Sequence, residues 1–260
     1  MECSQLMAKI IVVLPTYNEI TNLPLISKAI FDLGVEDLHI LVVDDNSPDG
    51  TGKLADELGA NTYPGRLHVL HRTEKAGLGP AYIAGFRKAL EMGADFIIQM
   101  DADFSHQPKY IPELLSAIEQ QDLVIGSRFA KGGSVDETWG VHRKLLSWFA
   151  NRIYTPIILG IPVYDATGGY RIWRRNTLIG LNLDRIRSNG YVFQVEMAYV
   201  THRLGFRVGE IPIYFPDRLH DQSKMDFSIT IEAALRVWQV MMRHRRLNAQ
   251  MRGTEAEVHS

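Results

Sequence analysis

The 260 residues include 46% apolar and 22% charged side chains, an ordinary balance for a folded protein that buries a substantial core. The formal net charge of −2 argues against a general nucleic-acid binder, which would carry excess basic charge. The single cysteine, Cys3, excludes a disulfide framework, argues against a cysteine-ligated structural zinc site and indicates a reducing compartment.

A membrane-spanning helix is not indicated by the sequence. The first residues do not form a secretory signal, because their apolar run is short and continues into a patterned segment. The nearest candidate span, residues 145–163, is interrupted by Asn151 and Arg152, whereas a bilayer requires roughly 18 to 20 apolar residues in a row. We therefore expect either a freely soluble protein or one that visits a membrane surface.

Short apolar runs alternate with amphipathic stretches in the first half of the chain. The pattern predicts strands at residues 9–14, 39–43, 67–70, 95–100 and 122–125, and helices at 22–33, 51–58, 80–92 and 110–118. Strands that alternate with helices of this length predict βαβ units and an α/β fold with a mostly parallel sheet. Ligands of such sheets bind beyond the carboxyl ends of the strands.

The second half of the chain is less regular. Helices are predicted at residues 139–154, 191–204 and 227–246, and extended segments at 167–173 and 206–215. There is no internal repeat, low-complexity tract or Pro/Ser-rich linker. We predict one compact unit, in which residues 1–226 form the main domain and residues 227–260 form a C-terminal helix and tail.

Carboxylates follow three of the predicted strands at the same edge of the sheet. They are Glu19, Asp44, Asp45, Asp49, Asp101 and Asp103. Crowded carboxylates repel one another unless a cation neutralises them. We assign Asp49, which precedes Gly50, to a turn, and we expect the others to take part in binding.

The Asp101-Ala102-Asp103 triplet is the sharpest candidate for a metal site. About one such triplet is expected by chance in a chain of this composition, so its position carries the argument: it directly follows a mostly apolar strand. Oxygen ligands suit Mg²⁺ or Mn²⁺, with diphosphate oxygens completing the coordination shell.

Several other enzyme classes lack their motifs in this sequence. The segment Gly77-Leu78-Gly79 resembles the start of a dinucleotide-binding fingerprint, but Tyr82 occupies the position of the third glycine. No P-loop triplet and no Gly-x-Ser-x-Gly elbow occurs. Arg128, after the fifth strand, is interpreted either as one partner of a surface ion pair or as a contact for a phosphate or sugar.

Taken together, the motifs resemble those of inverting glycosyltransferases of the GT-A fold. That resemblance is carried by the segments 14–19 (Leu-Pro-Thr-Tyr-Asn-Glu), 42–47 (Val-Val-Asp-Asp-Asn-Ser) and 101–103. Within that group, the chain resembles dolichol- or polyprenol-phosphate mannosyltransferases from about residue 10 to residue 224. The segments that carry this closer resemblance are 49–51, 77–79, 104–108, 126–128, 191–196, 217–218 and 223–224.

The resemblance implies roles for residues at matching positions. Pro15, Tyr17, Glu19, Val43 and Asp45 would hold the guanosine part of GDP-mannose. Asp101, Ala102 and Asp103 would meet the diphosphate and the metal, with Asp103 as the main ligand and Ser105 as a further one. Arg128, Arg218 and Lys224 would contact the donor phosphates or the lipid phosphate.

Two positions depart from the family pattern. Asp221 stands where glycine is usual, which adds bulk and negative charge to the loop that carries Arg218 and Lys224. Position 105 is serine, whose hydroxyl is a weaker metal ligand than a carboxylate, so water can take that place.

The implied reaction is chemically self-consistent. A dolichyl or polyprenyl phosphate has a second pKa near ~6 and is already an anionic nucleophile at neutral pH, so no general base is required. Catalysis then needs charge neutralisation on the leaving diphosphate and alignment of the attacking oxygen. We expect direct displacement with inversion at the sugar carbon.

A lipid acceptor has to be reached at a membrane. Residues 139–154 combine aromatic and basic side chains, which suits an interfacial helix, and the final helix ends in Arg243-His244-Arg245-Arg246. These features favour peripheral association with the cytoplasmic face of a membrane. The alternative is that both helices pack on the sheet with basic solvent-facing edges. Whether an integral-membrane partner subunit is also needed stays open.

Three other functions are alternatives to this one. The same fold could use another nucleotide sugar, such as UDP-glucose, with a lipid phosphate. A non-catalytic glycosyltransferase-like scaffold subunit would not need Asp101, Asp103, Arg218 and Lys224. A sugar nucleotidyltransferase would need a glycine-rich basic loop after the first strand, where this chain has the acidic segment 15–19.

Overall fold

A computed structural model describes residues 8–216 and 227–257 of the chain. Arg218, Asp221 and Lys224 lie outside the described residues, as does Cys3. In the helix that begins at Phe227, side chains are described from Leu235 onward.

The described residues contain nine strands. They are β1 (Ile10–Thr16), β2 (Leu38–Asp44), β3 (Leu67–His71), β4 (Phe96–Gln99), β5 (Leu123–Ser127), β6 (Ser134–Val135), β7 (Arg171–Arg174), β8 (Val208–Pro212) and β9 (Tyr214–Phe215). Seven form one sheet in the order β3-β2-β1-β4-β7-β5-β8, and β6 pairs with β9. Within the sheet all neighbours are parallel except β7, which runs antiparallel to both β4 and β5.

Helices cover both faces of the sheet. Within residues 8–216 and 227–257 they are α1 (Asn22–Phe31), α2 (Thr51–Glu57), α3 (Leu78–Glu91), α4 (Ile111–Ile118), α5 (Val141–Phe149), α6 (Thr155–Leu159), α7 (Arg175–Leu181), α8 (Gly190–Arg203) and α9 (Phe227–His244). A π-helical turn, Ala150–Tyr154, joins α5 to α6. The mostly parallel α/β sheet expected from the sequence is confirmed.

The central strands are buried on both faces, which explains their uninterrupted apolar runs. In β1, Ile11 and Val13 belong to the core on the side of α3 and α8, while Val12 and Leu14 belong to the core on the side of α1 and α4. All four side chains are fully buried. The carboxyl end of β1 is therefore held rigidly beside those of β2 and β4.

The last helix, α9, packs against α8. Val237 and Val240 are buried in the core, whereas Leu235, Trp238 and Met242 are exposed. No helix in the described parts of the chain combines the length and the apolar character needed to cross a bilayer.

Three elements, β6, α6 and α7, are absent from the sequence prediction, and one predicted extended segment is longer than the strand in the structure. β6 has two residues, too few for an alternating pattern to be recognised. The predicted extended segment 167–173 is a strand only from Arg171, because residues 166 and 167 form a turn and residues 168–170 form no regular structure.

Candidate active site

A cavity of about 610 Å³ opens at the carboxyl ends of β1 and β4. It is lined by Pro15, Thr16, Tyr17, Asn18, Glu19, Asn22, Asp45, Lys75, Gly77, Leu78, Ala81, Asp101, Ala102 and Asp103. The structure thus brings together seven of the predicted site residues, namely Pro15, Tyr17, Glu19, Asp45, Asp101, Ala102 and Asp103.

Asp101 is fixed by a side chain beneath it and by its own backbone. The Tyr82 hydroxyl donates a hydrogen bond to Asp101 Oδ1 at 2.6 Å, and the Asp101 amide donates to His106 Nδ1 at 2.9 Å. Burial and the neighbouring carboxylate of Asp101 raise the pKa of Tyr82 well above its ordinary value, so Tyr82 stays protonated and remains a donor. Asp101 therefore has a preset orientation.

Asp103 is held by Ser105. The Ser105 hydroxyl and amide both donate to Asp103 Oδ1, at 2.5 and 3.0 Å. Ser105 is buried and is not among the cavity-lining residues. The hydroxyl is directed to the carboxylate of Asp103, and the role of Ser105 as a further metal ligand stays a prediction.

The donor set of the cavity consists of oxygen atoms, which fits a hard divalent cation such as Mg²⁺ or Mn²⁺. In the part of the chain that the structure describes, no group of three His, Cys, Asp or Glu side chains could hold a metal. Asp101 and Asp103 line the cavity and are the residues that would hold such a cation, with phosphate oxygens or water completing the shell.

Lys75 is a cavity residue that the sequence analysis missed. Its Nζ atom lies 3.6 Å from the centre of the Tyr17 ring, a cation–π contact that directs the ammonium toward the cavity. Lys75 lies in the loop after β3, and a basic residue beyond the carboxyl end of a parallel strand is the signal that could have found it.

Two adjacent aspartates at the end of β2 have different surroundings. Asp45 lines the cavity and forms an ion pair with Arg72. Asp44 is buried, and its carboxylate accepts hydrogen bonds from the Ser47 amide and from the hydroxyls of Ser47 and Thr16. The structure therefore shows a local structural role for Asp44 in this loop, and the binding role expected for it stays a prediction.

Asp49 stabilises the turn that begins α2, where the sequence placed it. Its carboxylate accepts hydrogen bonds from the amide and hydroxyl of Thr51 at 3.0 and 2.6 Å, and from the Ile20 amide at 3.2 Å. Burial acts to raise the pKa of Asp49, but these hydrogen bonds outweigh it and lower the pKa. The carboxylate thereby ties the loops after β1 and β2 together.

Val43 and Arg128 are not among the cavity-lining residues. The Val43 side chain is fully buried in the core and faces α3, where a Cβ atom on Gly85 would lie 2.9 Å from it. The guanidinium of Arg128 donates to both carboxylate oxygens of Asp165, each at 2.7 Å, and to Thr167. The structure therefore gives Arg128 an ion pair with a buried carboxylate, and its contact with a donor or lipid phosphate stays a prediction.

A second, apolar cleft of about 450 Å³ lies beside α5. It is lined by Phe129, Val135, Trp139, Val141, Lys144, Leu145, Ser147 and Trp148. Val141, Leu145, Trp148 and Phe149 recur on one side of the helix and are 73%, 61%, 47% and 48% exposed. The apolar face of α5 therefore stays open to contact from outside the chain.

Comparison with known proteins identifies the family. Residues 11–180 match the family model of glycosyl transferase family 2. The undecaprenyl-phosphate mannosyltransferase of Micrococcus luteus is 47% identical over 245 residues, which cover 94% of this chain and 99% of that protein. The polyprenol monophosphomannose synthase of Mycolicibacterium smegmatis is 46% identical over 228 residues, covering 87% of this chain and 84% of that protein.

Solved structures share the fold at low sequence identity. Glucosyl-3-phosphoglycerate synthase from Mycobacterium tuberculosis, in complex with Mn²⁺, UDP-glucose and phosphoglyceric acid, has a TM-score of 0.60 and 18% identity, covering 92% of this chain and 80% of that chain. Mannosyl-3-phosphoglycerate synthase from Rubrobacter xylanophilus has a TM-score of 0.61 and 18% identity, covering 92% and 75%.

The GT-A type of α/β fold expected from the sequence is thus confirmed, as is the resemblance to polyprenol-phosphate mannosyltransferases. The family model matches most of the chain, and the two relatives are 46 and 47% identical to it, so the family is assigned on both grounds. The chain belongs to glycosyl transferase family 2 and is a glycosyltransferase.

Proposed function

We propose that the protein transfers mannose from GDP-mannose to a dolichyl or polyprenyl phosphate with inversion, forming polyprenyl-phosphate mannose and GDP. The observation that carries the proposal is the placement of Asp101 and Asp103 in a cavity at the strand ends of a chain whose relatives are named as mannosyltransferases acting on polyprenyl phosphates.

The donor would occupy the 610 Å³ cavity. Pro15, Tyr17 and Glu19 on one loop and Asp45 on the next would border its nucleoside, and Lys75 would neutralise part of the charge of its diphosphate. Arg218 and Lys224 stay in the proposal as phosphate contacts through the family resemblance.

A divalent cation bound there would supply Lewis-acid stabilisation of the leaving diphosphate. Asp101 and Asp103 would hold it. A hydrogen bond from Tyr82 keeps Asp101 in place, and one from Ser105 keeps Asp103 in place. Such preset carboxylates need no rearrangement during reaction, which is the condition for effective electrostatic stabilisation.

The acceptor phosphate would attack the sugar carbon directly. Its oxygen is already ionised at neutral pH, so the bond to the sugar forms as the bond to the diphosphate breaks, with no proton to remove. A single displacement inverts the configuration, and an α-linked donor gives a β-linked product.

Access to a lipid acceptor would come through peripheral membrane association on the cytoplasmic face. The exposed apolar face of α5 and Lys144 next to it supply the two features of an interfacial helix, an apolar surface and basic charge. The apolar cleft beside α5 offers a surface on which isoprenoid units could be shielded from water.

The proposal is tested by incubating the protein with labelled GDP-mannose, a polyprenyl phosphate in anionic vesicles, and Mg²⁺ or Mn²⁺. We expect label in the lipid extract, a β configuration of the product by NMR, and no transfer after chelation. Asp103→Asn should lower kcat/KM by at least about a hundredfold. Asp32→Asn, which removes an exposed carboxylate paired with Lys28, is the control and should leave the rate unchanged.

Transfer from UDP-glucose instead of GDP-mannose would replace the donor in this proposal and keep the acceptor. Retention of configuration would exclude the single displacement. A wild-type protein that binds neither nucleotide sugar, with or without a divalent cation, would refute the proposed activity.

A further inference from the structure

One wall of the cavity is a tight turn that is held by a residue distant in sequence. Lys75, Gly77 and Leu78 line the cavity at the start of α3. Gly77 has a φ of 98°, a backbone conformation that residues other than glycine rarely adopt. Gly77 is the N-cap of α3, and it has no side chain that could cap the first amides of the helix. A helix that starts this way needs partners for its first amides from elsewhere.

The partner is Asn189, which is more than a hundred residues away in sequence. Its Oδ1 atom accepts from the Gly79 amide at 3.1 Å, and its Nδ2 atom donates to the Ala76 carbonyl at 3.0 Å. The primary amide thus pairs with the donor and the acceptor of one turn at once, as a backbone peptide would. A Cβ atom on Gly77 would lie 2.5 Å from Asn189 Nδ2, which accounts for glycine at this position.

Asn189 is in turn fixed from the opposite side. The preceding amides of Arg187 and Ser188 donate to Oε2 of the buried Glu196, at 3.0 and 2.7 Å. Oε1 of the same carboxylate accepts from Arg243 and His244 on α9, each at 2.7 Å. Hydrogen bonds therefore connect α9 to Glu196 and Glu196 to residues 187 and 188, and the backbone links these two residues directly to Asn189 at the cavity wall.

We propose that Asn189 is a positioning residue for nucleotide-sugar binding, in which its side-chain amide holds the segment 76–79 in the shape that the diphosphate end of the donor requires. The inference rests on the proposed function for the identity of the ligand, and on the described contacts for the role of the residue. The close contact with Asn189 would also explain why this segment is rich in glycine although it does not match a dinucleotide-binding fingerprint.

Two variants of Asn189 separate its two hydrogen bonds. Asn189→Ala removes both, whereas Asn189→Asp keeps the acceptor for the Gly79 amide and loses the donor to the Ala76 carbonyl. Asn248→Ala is the matched control, because Asn248 is also the extended-backbone N-cap of a helical turn, at Ala249–Met251, and does not line the cavity.

Two measurements are made on the full-length protein. Amide hydrogen exchange of residues 75–79, recorded without ligand, should accelerate at least threefold in Asn189→Ala and not in Asn248→Ala. The Kd and KM for GDP-mannose should rise about fivefold in Asn189→Ala and less in Asn189→Asp, with the KM for the polyprenyl phosphate unchanged.

Unchanged exchange, or donor binding within twofold of wild type in a variant with native thermal stability, would overturn the role of Asn189. An equal rise in the KM values for donor and acceptor, with a lowered melting temperature, would mean that Asn189 contributes only to the general stability of the fold. Wild-type protein that binds neither GDP-mannose nor UDP-glucose would instead refute the proposed function and the donor half of this inference, and the exchange measurement would still decide whether Asn189 holds the segment.

Discussion

Each candidate metal ligand of this glycosyltransferase carries its own supporting hydrogen-bond donor. Tyr82 supports Asp101 from α3, and Ser105 supports Asp103 from within the same loop. Sequence reasoning found the two aspartates because they follow an apolar strand. It assigned Ser105 to the metal only through the family resemblance, and a serine two residues after an aspartate also fits a local turn.

Lys75 offers the sharpest prediction at the scale of single residues. Lys75→Met keeps the length and apolar stem of the side chain but removes the charge that lies over the Tyr17 ring. We expect the Kd for GDP-mannose to rise about tenfold, because one charge-assisted contact to the diphosphate is lost. Isothermal titration with GDP-mannose and with guanosine checks this, since guanosine lacks the diphosphate and should bind both proteins alike.

Lys88→Met is the control for that experiment. Lys88 lies on α3, pairs with Glu91 and does not line the cavity, so its charge should not affect donor binding. A loss of affinity of the same size in both variants would mean that Lys75 acts only through the overall charge.

At the scale of elements, the Arg128–Asp165 pair joins the end of β5 to the segment before β7. Asp165 is fully buried, so Arg128→Met would leave a buried carboxylate without its main partner. We expect the free energy of unfolding to fall by about 3 kcal/mol, measured by urea denaturation. The Kd for GDP-mannose should stay unchanged, because Arg128 is not among the cavity-lining residues.

The Arg207–Asp122 pair provides the comparison for that variant. It is also an Arg–Asp contact, but the Arg207 side chain is 63% exposed, so Arg207→Met should cost much less. If Arg128→Met instead weakened donor binding at native stability, the phosphate contact implied by the family resemblance would be the better account.

Glu196 predicts a specific dependence of stability on pH. Burial acts to raise its pKa, but hydrogen bonds from His244 and from the amides of Ser188 and Arg187 outweigh burial and lower the pKa from 4.5 to about 2. The folded pKa lies below the unfolded value, so this stabilisation is complete above about pH 4.5 and is lost as the pH falls toward 2.

Urea denaturation between pH 7 and pH 3 tests this linkage. Glu196→Gln should flatten the fall in unfolding free energy below pH 4.5, whereas the exposed Glu119→Gln should leave the curve as in wild type. Equal slopes in wild type and Glu196→Gln would show that the α8–α9 contact does not depend on this charge.

The elements that the sequence predicts well are those whose apolar pattern follows from local contacts. Strands β1, β2, β4 and β5 are largely buried runs, and the positions of β1 to β5 agree with the prediction to within two residues at each end. The antiparallel insertion of β7 between β4 and β5 was not predictable, because Arg171 is buried inside the sheet by hydrogen bonds to the Ala166 and Gly168 carbonyls. No periodicity in the sequence indicates such a tertiary arrangement.

At the scale of the whole molecule, membrane binding through the exposed apolar face of α5 can be tested directly. The double variant Leu145→Glu/Trp148→Glu places two charges on that face, and we expect its binding to phosphatidylglycerol vesicles to weaken by on the order of tenfold. Vesicle sedimentation measures the affinity. Leu25→Glu, at an exposed leucine of α1, is the control for added negative charge. Unchanged binding of the double variant would exclude α5 as the membrane-contacting face.

The position of β7 also has a consequence for how the chain folds. β4 and β5 follow one another in sequence, yet they never pair, because β7 lies between them and is synthesised more than forty residues after β5. Until Arg174 has left the ribosome, the nascent chain holds one sheet fragment, β3-β2-β1-β4, with β4 as an uncovered edge, and β5 has no partner strand. The last step in closing the sheet therefore depends on long-range pairing, and the time spent before it is when this enzyme is most exposed to aggregation.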